Sequence, residues 1–525
     1  MGKSSNLYKI IIFSIVIIGA TLRLRGLNFQ SLWMDEIHVL AYSSRSTWQA
    51  AFGPGGICCT YEGAFYHSLY SIIGSSDFSA RMVSAVAGIL LILITAEIGR
   101  EIHSEGTGMI SSSFIAVSYS GIYFSQEARH YIITTMILWG IFLLLIRGPN
   151  RLPKWAPNIC LVLLCFPLLF SYNAEIILFL GLFSLALTFS LPEKSKSSEE
   201  DQSNWKNAFQ GKSGLVLMYL FVSVSVAISR IPNMISDIRS DVQPLTPTLP
   251  SEPHIDLIQG FLTCDEYCRL GPPDSQLVNL FWFLICLSPI LWGYSILSGS
   301  ERSGRLKHPE MFLYTTSFGY LVVVWYFTKN FDTLYLYRYN LVALPGWVLI
   351  ASLCLSRLAS VIRENVTNSN ENMDIRNFMA LLISLAIVSN GAHNMAYEYS
   401  YYTTETKTDF RGMASSFATI ESEYDTFSVA TPNSIFINNY LSRNGVGEGD
   451  FVDVGWGTCY VEESVRNNIL NNKHEMVTYL ATFDLNTCKD NSFISFLEEE
   501  YSLIKYEKFH NGEIFLYSLG AERHD

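Results

Sequence analysis

Charged residues are scarce in this sequence: they make up 16% of its 525 residues, against roughly 25% in an average soluble domain. A basic excess is also missing, because the net charge is −12, and this argues against a nucleic-acid-binding protein. Ten cysteines are too few for a small scaffold built on disulfides. Hydrophobic residues instead reach 49%, which excludes an intrinsically disordered chain. A chain both apolar and acidic indicates a membrane protein whose acidic residues lie in a separate part.

The first three quarters of the chain contain apolar runs long enough for transmembrane helices, which need about 17–20 residues. Eleven such runs lie at about 8–22, 80–98, 107–124, 131–146, 158–172, 175–191, 214–229, 277–298, 310–327, 340–356 and 377–393. The run 107–124 fits least well because it is rich in serine. Lys and Arg are denser in the loops on the side of the N-terminus. The positive-inside rule therefore predicts a cytoplasmic N-terminus and, with eleven spans, a C-terminus outside the cell membrane.

The remainder of the chain has the pattern of a soluble α/β domain. Short β-prone segments at 427–431, 451–454 and 514–517 alternate with polar stretches of helical character. From residue 394 onward the chain holds 9 Lys/Arg against 21 Asp/Glu, so this part carries the whole net charge. We therefore predict a membrane domain over 1–393 and an extracytoplasmic α/β domain over 394–525.

Several cysteines fall in segments that this topology places outside. Cys264 and Cys268 form one candidate disulfide, and Cys459 and Cys488 form another, because disulfides persist in oxidising compartments. Free thiols are the alternative.

Two adjacent acids, Asp35 and Glu36, follow the first apolar run. A carboxylate at the low-dielectric edge of a cavity has a raised pKa, which suits it to take a proton from an acceptor hydroxyl. Two solvated loop acids are the alternative. Glu62 and His38 lie in the same predicted loop, and each is a candidate contact for an acceptor or a divalent metal, or a plain surface residue.

Arginines stand at predicted outer ends of apolar runs, where the positive-inside rule disfavours them. Arg129 lies with Tyr131 in a short polar element between two runs; Arg81 and Arg338 each open a run. Arginine binds phosphate through bidentate, charge-assisted hydrogen bonds, so these residues are candidates for a lipid-linked phosphate. A purely topological or structural role is the alternative.

Together these elements resemble the GT-C membrane glycosyltransferases, in particular the dolichyl-phosphate-mannose–protein mannosyltransferases (glycosyltransferase family 39-like) and the lipid A aminoarabinose transferases. The matching elements are Asp35-Glu36, residues 74–84, residues 125–131, residues 338–345 and Asp409-Phe410-Arg411. The chain departs from the family after Glu62, where Gly63-Ala64-Phe65 replaces a basic residue followed by two prolines.

The resemblance implies a polytopic GT-C fold and an inverting glycosyltransferase. It implies transfer of a mannose-like hexose from a polyprenyl- or dolichyl-phosphate donor to an acceptor hydroxyl at the outer face, in protein glycosylation or cell-envelope assembly. Asp35 would be the general base with Glu36 beside it. Arg129, Tyr131, Arg81 and Arg338 would bind the donor phosphate.

Two other functions fit the same composition. Charged residues inside a membrane also mark the ion paths of secondary transporters. Against a transporter, the sequence shows no paired half-repeats, no acidic residues in the middle of apolar runs beyond Glu97 and Glu175, and a large predicted outer domain. A non-catalytic cell-surface assembly protein is the third reading, with the outer domain binding a partner. The donor sugar, the acceptor (protein, lipid or glycan) and the need for a metal are left open by the sequence.

Overall fold

The computed structural model describes residues 6–33, 36–37, 39–40, 60–74, 76–147, 283–291, 307–331, 341–366, 373–398, 402–403, 407–431, 440–441, 443–444, 451–453, 461–482 and 490–519. The described residues fall into two compact units. The first takes those within Met1–Arg25, Pro54–Glu62 and Ser79–Tyr402, and the second takes those within Gly26–Gly53, Gly63–Phe78 and Thr403–Asp525. The predicted domain boundary at 393/394 stays a prediction, and the second unit also takes in residues that precede 79.

Helices make up the described part of the first unit. They are α1 (Asn6–Leu24), α2 (Thr60–Ile73, whose later residues belong to the second unit), α3 (Asp77–Ile102, whose first two residues belong to the second unit), α4 (Glu105–Val117), α5 (Tyr119–Tyr123), α6 (Tyr131–Arg147), α7 (Lys307–Phe331), α8 (Leu344–Val366) and α9 (Met373–His393). A further helical segment covers 283–291. A 3₁₀ turn, Phe124–Gln126, follows α5, and a π-helical turn, Asn394–Glu398, follows α9.

Four of the described helical stretches are long and apolar enough to cross a membrane: Asn6–Leu24, Asp77–Ile102, Leu341–Ala359 and Asn377–Tyr397. Each coincides with one of the predicted apolar runs. The runs at 158–172, 175–191 and 214–229 lie outside the described residues, so the count of eleven spans stays a prediction.

The serine-rich run 107–124 is not one continuous helix. Helix α4 ends at Val117, Ser118 is extended, and its hydroxyl accepts the Gly121 N–H that opens α5. Helix α4 packs against α1, α8 and α9, and its serines return their hydrogen bonds to carbonyls of their own helix or of α3. A side chain on Gly108 would lie 2.5 Å from the Ala96 carbonyl oxygen, so glycine lets α3 and α4 approach closely. The small, polar composition that weakened the prediction is what permits this packing.

An ionic cluster joins the C-terminal ends of α3 and α6. Glu97 accepts from both Arg100 and Arg147, and Arg147 also contacts Glu101 at 3.2 Å. Glu97 is therefore paired within the first unit. Glu175, the other acid considered for an ion path, lies outside the described residues.

The described residues of the second unit form a five-stranded mixed sheet with strand order β2-β1-β3-β5-β4. The strands are β1 (Phe427–Thr431), β2 (Phe451–Asp453), β3 (Met476–Thr482), β4 (Ser502–Phe509) and β5 (Gly512–Ser518). Strand β1 pairs in parallel with β2 and β3, and β5 is antiparallel to β3 and β4. The three predicted strands are confirmed as β1, β2 and β5.

The described residues of the second unit also include the helices α10 (Phe410–Glu423), α11 (Glu463–Asn472) and α12 (Asn491–Glu500). Asp490 caps α12 by accepting the N–H groups of Ser492 and Phe493 at 3.0 and 3.1 Å, and it also accepts the Val461 N–H at 2.8 Å. Burial opposes ionisation of this carboxyl, but these bonds, the Ser492 hydroxyl and Arg466 outweigh burial, so the pKa of Asp490 lies below its usual value.

Candidate active site

The polar element at 125–131 is buried in the first unit, between the end of α5 and the start of α6. Gln126 gives this element a structural anchor: its Nε2 lies 3.2, 2.9 and 2.7 Å from the carbonyl oxygens of Leu22, Arg23 and Arg25. These carbonyls close the C-terminal end of α1, where no helical N–H is left to bond them. The element is thereby fixed to the end of the first helix.

Arg129 and Tyr131, two of the predicted phosphate-binding residues, lie against each other. An Arg129 terminal nitrogen is 3.4 Å from the Tyr131 hydroxyl, and its guanidinium stands over the tyrosine ring at 5.5 Å. Both side chains are buried. The Ser84 hydroxyl on α3 donates to the Arg129 carbonyl at 3.1 Å, which brings the element against the helix that carries Arg81. Arg81, one turn before Ser84, is also buried.

Arg23 has a structural role that sequence reasoning missed. It is fully buried, and its terminal nitrogens donate to the carbonyl oxygens of Ala116 and Ile115 at 2.8 and 2.7 Å. These carbonyls belong to the last turn of α4, which is the negative end of the helix dipole. Arg23 therefore caps the broken helix from α1. The signal available in the sequence was the serine-rich run, which contains the break.

Glu36, the described member of the predicted acid pair, belongs to the second unit and is completely buried. Its Oε2 accepts the Trp33 N–H at 2.8 Å and lies 3.0 Å from Lys407 Nζ. A buried carboxylate needs such compensation, because leaving it without a cation costs several kcal/mol, roughly 3–5 when one partner is removed. Lys407 was not among the predicted site residues.

Asp77 gathers a second set of charges within this unit. One carboxylate oxygen accepts from Arg411 at 2.6 Å and from the Tyr440 hydroxyl at 2.9 Å, while the other accepts from Arg443 at 2.6 Å. The carboxylate is 4% exposed, whereas the two arginines are about a third exposed. Asp77 and Arg411 both stand in elements that carry the family resemblance, and the structure joins these two residues within the second unit.

Asp409-Phe410-Arg411 also holds the segment that precedes the acid pair. The Ser31 hydroxyl donates to Asp409 at 3.0 Å and accepts the Arg411 N–H at 3.1 Å. The Arg411 guanidinium donates to the carbonyls of Asn28 and Gln30 at 3.0 and 3.1 Å. This motif is therefore a clamp on residues 28–31.

The remaining predicted residues stay predictions. Asp35, His38 and Arg338 lie outside the described residues, as do all four cysteines proposed for disulfides: Cys264, Cys268, Cys459 and Cys488. Glu62 lies on helix α2. Within the part of the chain that the structure describes, no group of three or more His, Cys, Asp or Glu side chains is arranged to hold a metal ion.

Comparison with known proteins finds likeness at the level of structure. No family model and no curated protein matches the sequence. ArnT from Cupriavidus metallidurans in the apo state is similar with a TM-score of 0.54 and 11% identity, over 97% of this chain and 97% of that chain. The Archaeoglobus fulgidus oligosaccharyltransferase, tethered with an acceptor peptide, is similar with a TM-score of 0.52 and 14% identity, over 99% of this chain and 74% of that chain.

A third structure is AglB, the Archaeoglobus fulgidus oligosaccharyltransferase in complex with an inhibitory peptide and a dolichol-phosphate. It has a TM-score of 0.50 and 12% identity, over 96% of this chain and 74% of that chain. The likeness to these GT-C proteins is one of fold. The predicted likeness in fold to these proteins is thereby confirmed, and the number of spans stays a prediction.

Proposed function

We propose that this chain is an integral membrane glycosyltransferase that moves a sugar from a polyprenyl- or dolichyl-phosphate donor to an acceptor hydroxyl. The observation that carries the proposal is the fold, because the likeness to ArnT spans 97% of both chains. One of the similar structures holds a dolichol-phosphate, a lipid of the class proposed here as the sugar carrier. A mannose-like hexose is the proposed sugar, on the strength of the sequence resemblance.

The proposed reaction is a single displacement with inversion. The acceptor oxygen attacks the anomeric carbon, and the bond from that carbon to the phosphate oxygen breaks. Asp35 takes the hydroxyl proton as general base, and the polyprenyl phosphate leaves with the bonding electron pair. Charge therefore develops on the phosphate, and fixed cations beside it lower the barrier.

Arg129 is the described residue best suited to stabilise that charge. It is held in a buried position over Tyr131, and a guanidinium in a low-dielectric setting interacts with phosphate more strongly than in water. Arg81 and Arg338 are the proposed further phosphate contacts. Glu36 is proposed to act through the position of its neighbour Asp35, because its own carboxylate is engaged by Lys407.

The proposed location is the cell membrane, with the N-terminus cytoplasmic and residues 394–525 outside. A lipid-linked donor then supplies the sugar at the outer face, and the acceptor is a protein, lipid or glycan. A divalent metal is a candidate cofactor, and Glu62 or His38 is the proposed ligand.

The test is mass spectrometry of surface glycoconjugates from cells with and without the protein. Loss of one sugar on deletion, restored by the wild type and by the exposed-residue control Asp425→Asn but not by Asp35→Asn, is the expected result. Unchanged glycans on deletion would refute the function, and full restoration by Asp35→Asn would refute the assignment of the base. Sugar-independent ion flux in proteoliposomes would favour the transporter instead.

A further inference from the structure

The buried pair of Glu36 and Lys407 joins two distant parts of the second unit. The Glu36 carboxylate is wholly buried, the Lys407 side chain is 8% exposed, and the charged atoms are 3.0 Å apart. Burying such a pair is weak evidence for a stabilising role, because desolvation offsets much of the attraction and apolar replacements are often as stable. A positional role explains the pair better, since Glu36 directly follows Asp35.

Lys407 makes two hydrogen bonds to residues near the acid pair. Its side chain reaches Glu36, and its backbone N–H donates to the Gln30 side-chain oxygen at 3.1 Å. Trp33 and Ile37 flank the acid pair in sequence, and they are joined by a hydrogen bond of 2.9 Å from the Ile37 N–H to the Trp33 carbonyl. The same Glu36 oxygen that meets Lys407 also accepts the Trp33 N–H.

A second attachment lies four residues further along the chain. Arg411 donates to the carbonyls of Asn28 and Gln30, and Ser31 bonds both to Asp409 and to the Arg411 N–H. The buried Tyr440 hydroxyl accepts the Leu32 N–H at 2.6 Å. The described residues on this side are thus held at two places by the segment 407–411: residues 28–31 by Asp409 and Arg411, and Glu36 by Lys407.

We propose that Lys407 is a positioning residue for the transfer reaction: it fixes Glu36, the residue that directly follows Asp35 in the sequence. This inference rests on the proposed function, in which Asp35 is the base. Catalytic groups must be held within about 0.5 Å of the productive geometry, and a displacement of about 1 Å costs roughly 100-fold in rate. The C-terminal part of the chain then contributes a positioning residue to the transfer reaction.

The test uses the full chain in membrane vesicles from cells that make it, which supply the natural acceptors. Labelled mannose, glucose and aminoarabinose donors on dolichyl and undecaprenyl phosphate serve as probes, and transfer is measured per amount of folded protein. Lys407→Met is expected to lower kcat by at least about 10-fold with the donor KM within about threefold, because the geometry of the base is lost rather than donor binding. Lys407→Arg, which keeps the charge, is expected to recover most of the rate.

Two further variants separate position from folding. Glu36→Gln/Lys407→Met is expected to be faster than Lys407→Met, since a neutral amide needs no buried cation. Lys508→Met, which removes an exposed lysine of the same unit, is the matched control and is expected to behave as wild type. Hydrogen exchange over residues 28–37 supplies a readout without activity: Lys407→Met is expected to accelerate exchange there and Lys508→Met is not.

The inference is overturned if Lys407→Met transfers sugar within twofold of wild type, or if exchange over 28–37 is unchanged. It is also overturned if the donor KM rises while kcat holds. Absence of transfer by the wild type from every donor would instead overturn the proposed function, and with it the positioning role of Lys407 in transfer. The hydrogen-exchange measurement would still decide whether Lys407 protects residues 28–37 from exchange.

Discussion

Replacing Asp77 by alanine is expected to destabilise the second unit, because three side chains converge on this one carboxylate. Arg411 and Arg443 each contact it at 2.6 Å, and the Tyr440 hydroxyl donates to it at 2.9 Å. The two arginines are 37% and 34% exposed on their side chains, so solvent screens both ion pairs. Each of those pairs is therefore worth only about 0.2–1 kcal/mol.

The bond from the Tyr440 hydroxyl carries more of the expected effect. Tyr440 is buried, and a hydrogen bond to a charged group contributes about 1.5–3 kcal/mol. The three contacts together predict a loss of about 2–5 kcal/mol for Asp77→Ala. For a unit of this size, each kcal/mol lowers the melting temperature by about 2–4 °C, so a fall of at least about 4 °C is expected.

The assay is thermal melting of the full-length protein in detergent, followed by the fraction that remains monodisperse. Asp425→Ala removes an exposed carboxylate from the same unit and serves as the control. The double variant Asp77→Ala/Arg411→Ala should lose less stability than the sum of the losses in the two single variants, because both substitutions remove the same contact. A melting temperature for Asp77→Ala within 1 °C of the control would refute the reasoning.

Two further predictions rest on described contacts and a third on the proposed topology. Arg23→Met should lower the melting temperature, because it removes the hydrogen-bond donors to the last carbonyls of α4. Arg25→Met changes an exposed position and should leave the melting temperature unchanged. Equal melting temperatures for the two variants would contradict the capping role. Because the pKa of Asp490 is lowered on folding, this carboxylate stabilises the folded state above its unfolded pKa of about 3.9, and that stabilisation is lost as pH falls through the lower folded pKa. In Asp490→Asn the melting temperature should therefore depend less on pH between pH 6 and pH 3 than it does in the wild type. In a host that glycosylates sequons on the outer side, Asn365 should stay bare while Tyr424→Asn, which completes a sequon ending at Thr426, should add one glycan; a glycan at Asn365 would overturn the proposed topology.

Local patterns in the sequence were sufficient for much of the fold. Strand β1 matches its predicted bounds, and apolar runs predicted the long helices because burial in lipid demands continuous hydrophobicity. Strands β3 and β4 were not among the predicted strands. In β4, Leu503 and Ile504 are exposed neighbours beside a register shift, and no clean alternation marks the strand. The break at Ser118 was missed as well, because serine is compatible with both a helix interior and a cap.

The candidate site was predictable only in part, because its contacts join residues far apart in the chain. Arg129 and Tyr131 are two positions apart, and the sequence element that holds them predicted their association. Lys407 pairs with Glu36 across 371 positions, and no local sequence pattern predicts a pairing between residues so far apart. Asp409-Phe410-Arg411 was noticed by resemblance, but its action as a clamp became evident only from its contacts with residues 28–31.

The central claim is that Asp35 deprotonates an acceptor while a polyprenyl phosphate leaves. The most direct measurement is release of labelled polyprenyl phosphate from a panel of polyprenyl-phosphate sugars by the purified protein in proteoliposomes that contain extracted acceptors. Acceptor-dependent release by the wild type is expected, with a fall of about 100-fold or more for Asp35→Asn, the usual contribution of a general base. Release by Asp35→Asn at the wild-type rate, or no release from any donor, would contradict the central claim.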